Sequence, residues 1–268
     1  PIVAFTGQVA TSLLGKDSFQ EVDITGITMP ITKHNYIVKN VEDLANVIRK
    51  AFVIAKEGRP GPVLIDICKD VTAAVTEYEP MPPVKPKPIP IGVGSQQIEQ
   101  AAEIINQSER PIILAGGGVG IGDACKELLV LAEKSQIPVA TTLMGLGNFP
   151  GTHPLYTGLM GMHGTKVSNL AASNCDLFIA VGTRFSDRVV SDVKKFAADA
   201  KIMHIDIDSA EIGKNVRADY ALVGNVKLIL DALNQKVQQK ERKDWLSQLQ
   251  EWKRVPSFKA DKEDTLRP

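Results

Sequence analysis

Cysteine is scarce in this chain. Its 268 residues hold three, Cys68, Cys125 and Cys175, an odd number at wide spacings with no Cys-x-x-Cys pair. Such usage excludes a disulfide framework and a thiolate zinc site. It fits a reducing, intracellular setting, and a cytoplasmic location is expected. No apolar run approaches the roughly 18 residues of a membrane span. Neither sign of charge is in excess, with 31 Lys+Arg against 31 Asp+Glu. A balanced chain has no general attraction for nucleic acid or an anionic membrane, so neither is expected as the main partner. The four histidines are scattered without metal spacing, and no metal ligand is assigned. A P-loop is missing too. Ala10 stands where Gly15-Lys16-Asp17 would need its first glycine, and no Ser or Thr follows the lysine.

What the chain does have is alternation. Hydrophobic residues make up 44% of it, enough for a sizeable core, and its length suits about two domains. Ile2-Val3-Ala4-Phe5 and Val63-Leu64-Ile65-Asp66-Ile67 read as buried strands. Between them Val41, Leu44, Val47, Ile48, Ala51, Phe52 and Ala55 recur at helical spacing, with Asn40 as N-cap and Gly58 as stop. Prolines at 80, 82, 83, 86, 88 and 90 then predict an extended connector over 79–94. Helices near Ser95–Gln107, Asp123–Ser135, Thr165–Ser173 and Val226–Gln239 alternate with strands at Pro111–Ala115, Pro138–Thr141, Asp176–Val181 and Lys201–Ile207. The expected fold class is α/β, with doubly wound parallel sheets. The expected organisation is a first domain over 1–78, the connector, a second domain over 95–239, and a terminal stretch over 240–268. That stretch starts as a charged helix with Trp245 and Trp252 on one apolar face and then turns irregular.

Ligands of open parallel sheets bind beyond the carboxyl ends of the strands. Four segments of the second domain stand there. Gly116-Gly117-Gly118-Val119-Gly120-Ile121-Gly122 follows a strand and lets backbone approach a phosphate, or is simply a tight turn. Its spacing fails the GxGxxG pattern at Ile121, and no acidic residue lies about 20 positions on, which disfavours an ordinary nicotinamide site. Thr141-Thr142-Leu143-Met144-Gly145-Leu146-Gly147 offers backbone and apolar contact to a flat ring, or is a plain loop with a buried Met. Gly182-Thr183-Arg184-Phe185-Ser186-Asp187-Arg188 brings two guanidinium groups suited to phosphate or carboxylate. In His204-Ile205-Asp206-Ile207-Asp208, either carboxylate could accept from ribose hydroxyls, or Asp208 could cap the following turn. His34 and His204 read as packed or hydrogen-bonded side chains. His163, flanked by Gly161-Met162 and Gly164, reads as part of a loop shaped around a ligand. Cys125 reads as helical core and Cys175 as a position just before a strand, neither a nucleophile. These residues imply a domain that binds a dinucleotide or another large phosphate ligand; they do not name a reaction.

Taken together, the motifs resemble one family. Phe5-Thr6-Gly7-Gln8-Val9, the run Asp17 to Asp23, Lys33-His34-Asn35, Gly58-Arg59-Pro60-Gly61-Pro62-Val63 and Lys69-Asp70-Val71 resemble the pyrimidine-binding domain of thiamine-diphosphate enzymes, in its acetohydroxyacid (acetolactate) synthase variant. The glycine cluster, Thr142-Leu143-Met144-Gly145, Gly161-Met162-His163-Gly164-Thr165 and the Gly182–Arg188 segment resemble that family's central, FAD-binding domain. The resemblance implies decarboxylation of pyruvate and condensation of the two-carbon unit with a second 2-keto acid, at the start of branched-chain amino-acid synthesis. It implies FAD without a redox role, thiamine diphosphate as electron sink, and Mg²⁺ on the diphosphate. It further implies a homodimer or tetramer and a small regulatory subunit. By the same resemblance Gln8, Lys69 and Arg188 line the active site and substrate channel. Arg59, Gly116, Gly117, Gly118, Thr142, Leu143, Gly161, Met162, His163, Gly164, Thr165, Gly182, Thr183, Arg184, Asp206, Ile207 and Asn225 meet the flavin. Ser186 and Asn225 stand where relatives more often carry Asp. A chain opening on Pro1 and closing on Asp264-Thr265-Leu266-Arg267-Pro268 is expected to be an internal piece, inactive on pyruvate by itself. The competing expectations are another thiamine carboligase, such as glyoxylate carboligase, and a nucleotide-binding module without chemistry.

Overall fold

The first β-branched run is longer than its apolar part: strand β1 covers Ile2–Gln8. A short helix α1 (Ile24–Thr28) follows, capped by the Asp23 carboxylate on the Gly26 N–H. Then come β2 (His34–Val38), α2 (Val41–Lys56), β3 (Pro62–Cys68) and α3 (Lys69–Ala73). The computed structural model describes residues 1–82, 84 and 90–254. The connector prolines at 83, 86 and 88 and the irregular tail expected after Arg254 lie outside the described residues. The chain divides into two units, Pro1–Ile89 and Pro90–Pro268.

In unit 1, β3 is central. It runs parallel to β1 (Ile2↔Pro62 through Gln8↔Cys68) and, on its other side, to β2 (His34↔Val63 through Val38↔Ile67). Helix α2 lays its apolar stripe on this sheet; Ala51 and Ala55 are buried there with Val38, Val63 and Ile65. The strand that feeds α2 is therefore β2, not the run at Ile2. It escapes a periodicity reading because polar His34-Asn35 shortens its apolar stretch. Asn40 occupies the N-cap position of α2, but its amide makes no cap bond and contacts Asp43 at 3.4 Å instead.

Unit 2 comprises α4 (Ser95–Gln107), β4 (Pro111–Ala115), α5 (Gly117–Ile121), α6 (Cys125–Lys134), β5 (Val139–Thr141), β6 (Tyr156–Leu159), α7 (Lys166–Asn174), β7 (Leu177–Val181), α8 (Asp187–Val190), β8 (Lys201–Asp206), β9 (Tyr220–Val223), α9 (Val226–Lys236) and α10 (Lys243–Arg254). Its six strands pair in parallel in the order β6-β5-β4-β7-β8-β9. The chain winds outward from β4 to β6, returns to β7 beside β4, and winds outward the other way. This is a doubly wound α/β sheet with its switch point between β4 and β7. Successive residues of those two strands go to opposite faces. Ile113, Ala115, Leu177, Ile179 and Val181 join one core with α4, α6 and α9. Ile112, Leu114, Phe178 and Ala180 join another with α7 and α10. No helix among the described residues is long and apolar enough to cross a membrane.

The segment after α9 is fastened by cations. The Arg242 side chain is 3% exposed and donates to the carbonyls of Ser135, of Ile105 (2.8 Å) and of Ser108 (3.1 Å). Those oxygens sit at the C-terminal ends of α6 and α4, where a cation also meets the negative ends of both helices. Lys240 adds bonds to the Asn106 and Ser108 carbonyls, each at 3.0 Å. Behind them Trp245 is 2% exposed, donates to the Pro111 carbonyl at 2.9 Å, and meets Trp252 edge-on at 5.9 Å.

Candidate functional site

At the switch point the turns after β4 and β7 touch backbone to backbone. Gly116 N–H donates to the Val181 carbonyl (2.8 Å) and Gly118 N–H to the Gly182 carbonyl (3.0 Å). A Cβ on Gly116 would sit 2.1 Å from the Gly182 oxygen, and one on Gly118 would sit 2.7 Å from Gly182 Cα. Gly182 itself has φ +58°, which favours glycine. The glycines thus serve this packing, and two of the N–H groups that the sequence offers to a phosphate go to protein oxygens instead.

The Gly182–Arg188 segment alternates. Thr183 and Phe185 are buried, and Arg184 between them is exposed. Phe185 holds φ +51°, unusual for a bulky residue, and its ring packs on Phe178, Phe196 and His204. Three successive carbonyls are gripped by side chains. His204 Nε2 donates to Thr183 (2.9 Å), and Asn215 Nδ2 donates to Arg184 and Phe185 (3.1 Å each). Arg188, exposed in α8, has Nη1 at 3.5 Å from Met162 Sδ, and its carbonyl accepts from Met162 N–H (2.8 Å). Asn169 holds Gly161 at both ends, accepting from its N–H and donating to its carbonyl at 2.9 Å each. A Cβ on Gly161, at φ +110°, would lie 2.3 Å from the Arg188 oxygen. The 161–165 and 182–188 loops are therefore one interlocked piece, with Met162 and His163 on its exposed side.

The remaining strand-end residues divide by task. Thr142 caps the turn of Leu143–Gly145 by accepting from Gly145 N–H (3.1 Å). Leu143 and Met144 are 68% and 78% exposed, an apolar surface beside Gly117. Thr165 caps α7, and Asn225 caps α9 by accepting from Leu228 N–H (3.2 Å). Asp208 caps the turn after it through Ala210 N–H (3.0 Å). Asp206, 8% exposed at the end of β8, is the strand-end carboxylate and accepts from Asp208 N–H (2.9 Å), and half-buried Ile207 follows it. Asn169 and Asn215, which hold the two loops, carried no signal in the sequence.

Burial pushes the His204 imidazole below its usual range; the Thr183 carbonyl, Asp206 and Glu211 oppose this without reversing it. Its Nδ1 is buried without a hydrogen-bond partner. The neutral ring donating from Nε2 is therefore the native form. The folded ring binds its proton less readily than the unfolded one. Its contribution is therefore complete above the ordinary histidine value of 6.5 and is lost as pH falls below it. The stability difference between the wild type and His204→Gln should shrink between pH 7 and pH 5, measured by urea unfolding; a difference independent of pH would refute the neutral assignment. Cys175, at the end of α7, is pushed up to about 12 by burial and then by Asp176, so its thiol is inert.

In unit 1, Gln8 and Lys69 share one sheet end, since Gln8 pairs in register with Cys68. The Gln8 amide is engaged on three sides. Nε2 donates to the Val22 carbonyl (2.7 Å) and the Asp66 carboxylate (3.0 Å), and Oε1 accepts from Val9 N–H (2.9 Å). Both donors are used, so Gln8 has only an acceptor lone pair left for a ligand. Lys69 is exposed at the start of α3, and Arg59 is exposed in the loop before β3. Burial, then the Asp70 and Asp66 charges, raise the neighbouring Cys68 thiol.

Residues 98–233 of unit 2, about half of the chain, match the central domain of thiamine pyrophosphate enzymes. The chain belongs to the thiamine pyrophosphate enzyme family. It is 52% identical over 272 aligned residues to a probable acetolactate synthase large subunit of Methanocaldococcus jannaschii, covering 98% of this chain and 46% of that protein. A protein of the same description from Methanococcus aeolicus is 51% identical, over 86% of this chain and 39% of its own length. The acetolactate synthase large subunit of Corynebacterium glutamicum is 49% identical, over 87% and 38%. The chain thus spans less than half the length of these relatives. The match to the family's central domain lies within the doubly wound unit described above.

Proposed function

We propose that this chain is part of an acetolactate synthase large subunit. In that reading the whole enzyme decarboxylates pyruvate and joins the two-carbon unit to pyruvate or 2-ketobutyrate, in branched-chain amino-acid biosynthesis. The observation that carries it is the 52% identity across 98% of the chain to a protein of that description. Thiamine diphosphate supplies the electron sink when bound. Magnesium, expected with it, has no group of three His, Cys, Asp or Glu side chains to hold it among the described residues. Lys69 would draw the keto-acid carboxylate by charge, and Gln8 would accept a hydrogen bond at the same sheet end. In unit 2, Arg188 is an exposed cation suited to a carboxylate.

FAD is proposed for unit 2. Its fit is chemical: Arg184 is an exposed guanidinium on a pinned turn, Leu143 and Met144 form an apolar surface, and Asp206 is a strand-end carboxylate. A homo-oligomer, a small regulatory subunit, 2-keto acid substrates and a cytoplasmic site belong to the same proposal. Titration with FAD, followed by quenching of flavin fluorescence, tests the cofactor. Arg184→Ala should weaken binding about tenfold or more; equal affinity would remove Arg184 from the site. Assay of the full-length polypeptide for acetolactate from pyruvate tests the activity, and product from glyoxylate alone would favour glyoxylate carboligase.

A further inference from the structure

Arg184, an exposed cation of the 182–188 segment, sits on a turn that should not be stable by itself. Phe185 is in the left-handed region, which costs a bulky residue of order 1 kcal/mol. Three consecutive carbonyls, those of Thr183, Arg184 and Phe185, all accept from side chains of other elements. One donor comes from β8. The other comes from the loop before β9. We infer that His204 and Asn215 are positioning residues that set the Thr183–Arg184–Phe185 turn and so present Arg184 to the phosphate-bearing ligand of unit 2. The inference rests on the proposed FAD site for the identity of that ligand.

Chemistry narrows how each residue works. His204 is fully buried, and Phe185 packs edge-on against its ring at 5.0 Å, so the imidazole supports the turn by contact and by one donor. Asn215 is exposed, and its single NH₂ group reaches two carbonyls. Removing that donor leaves the fold's cores untouched, which separates positioning from general stability. Arg184 makes no ion pair within 4.0 Å among the described residues, so no carboxylate fixes its place.

Isosteric variants supply the test. In Asn215→Asp an oxygen replaces the donor and faces two carbonyl oxygens. In His204→Gln an amide nitrogen takes the place of Nε2, whereas His204→Asn ends where Nδ1 was and cannot reach Thr183. FAD affinity should fall about tenfold in Asn215→Asp and in His204→Asn, and return to within about threefold of wild type in His204→Gln. Amide hydrogen exchange of the peptide spanning 182–190 should quicken in the two weakened variants, with the rest of the unit unchanged. Unaltered affinity in Asn215→Asp, or equal loss in the Gln and Asn variants of His204, would overturn the inference. Should the wild type bind no FAD, the flavin reading fails on its own. Exchange then decides: faster exchange confined to 182–190 in Asn215→Asp upholds the positioning role, and unchanged exchange ends it.

Discussion

Gly116→Ala should destabilise unit 2 by about 3 kcal/mol or more. The new Cβ would lie 2.1 Å from the Gly182 oxygen and 2.7 Å from Thr183 Cβ. Neither neighbour is the far end of a flexible side chain. Gly182 cannot retreat, because its own carbonyl accepts from Gly118 and its N–H donates to Ile205. The two turns must separate, and the bond from Gly116 N–H to Val181 goes with them. Gly151→Ala is the control, since nothing lies within 4 Å of its Cβ position; a change within about 0.5 kcal/mol is expected there. Both tryptophans of the chain lie in α10, so tryptophan emission during urea unfolding reports unit 2. Coincident midpoints for the two variants would mean that the turns are not in contact.

Arg242→Met should cost about 2 kcal/mol or more, because buried carbonyls lose a charged donor. The methionine keeps much of the stem's volume, so the loss isolates the guanidinium. Burial disfavours this cation, yet it is the side-chain donor to the Ile105 and Ser135 carbonyls, and it shares the Ser108 carbonyl with Lys240. The Ile105 and Ser135 oxygens would each cost about 1–3 kcal/mol if they stayed dry. The variant would relieve that by letting α10 lift, which would expose Trp245 and shift its emission to the red. Arg242→Lys should recover only part, because an ammonium cannot reproduce the planar fork that reaches both helix ends. A wild-type midpoint for Arg242→Met would show that the α10 packing alone holds the segment.

Much of the doubly wound unit was legible. Helix α4 and strand β4 fall on the bounds that periodicity drew, and other elements of unit 2 shift by one to three residues. The strands that escaped are β2, β6 and β9, which lie at sheet edges. Their residues are half exposed, so no continuous apolar run marks them. The four strand-end turns were legible because a parallel sheet gathers its turns at one edge. What the glycines do there was not, since it depends on which turn packs against which. Asn169 and Asn215 were invisible for the same reason, being 8 and about 30 residues from the carbonyls they hold. Gln8 was found as a residue but not as a saturated amide. Its partners Asp66 and Val22 lie far from it in sequence, and only the folded sheet brings them within reach.

The Arg242 clamp also sets a clock. All six strands of unit 2 have been synthesised once Val223 is made, yet the terminal carbonyls of α4 and α6 that Lys240 and Arg242 hold stay uncapped until residues 240–242 follow. At synthesis rates of about 5–20 residues per second, the nascent sheet waits about a second or longer with one face bare of α10. Ribosome-bound chains halted at Lys236 should therefore be cut by protease at sites that chains halted well beyond Arg254 protect. A chaperone that favours exposed apolar faces would find its substrate in that interval.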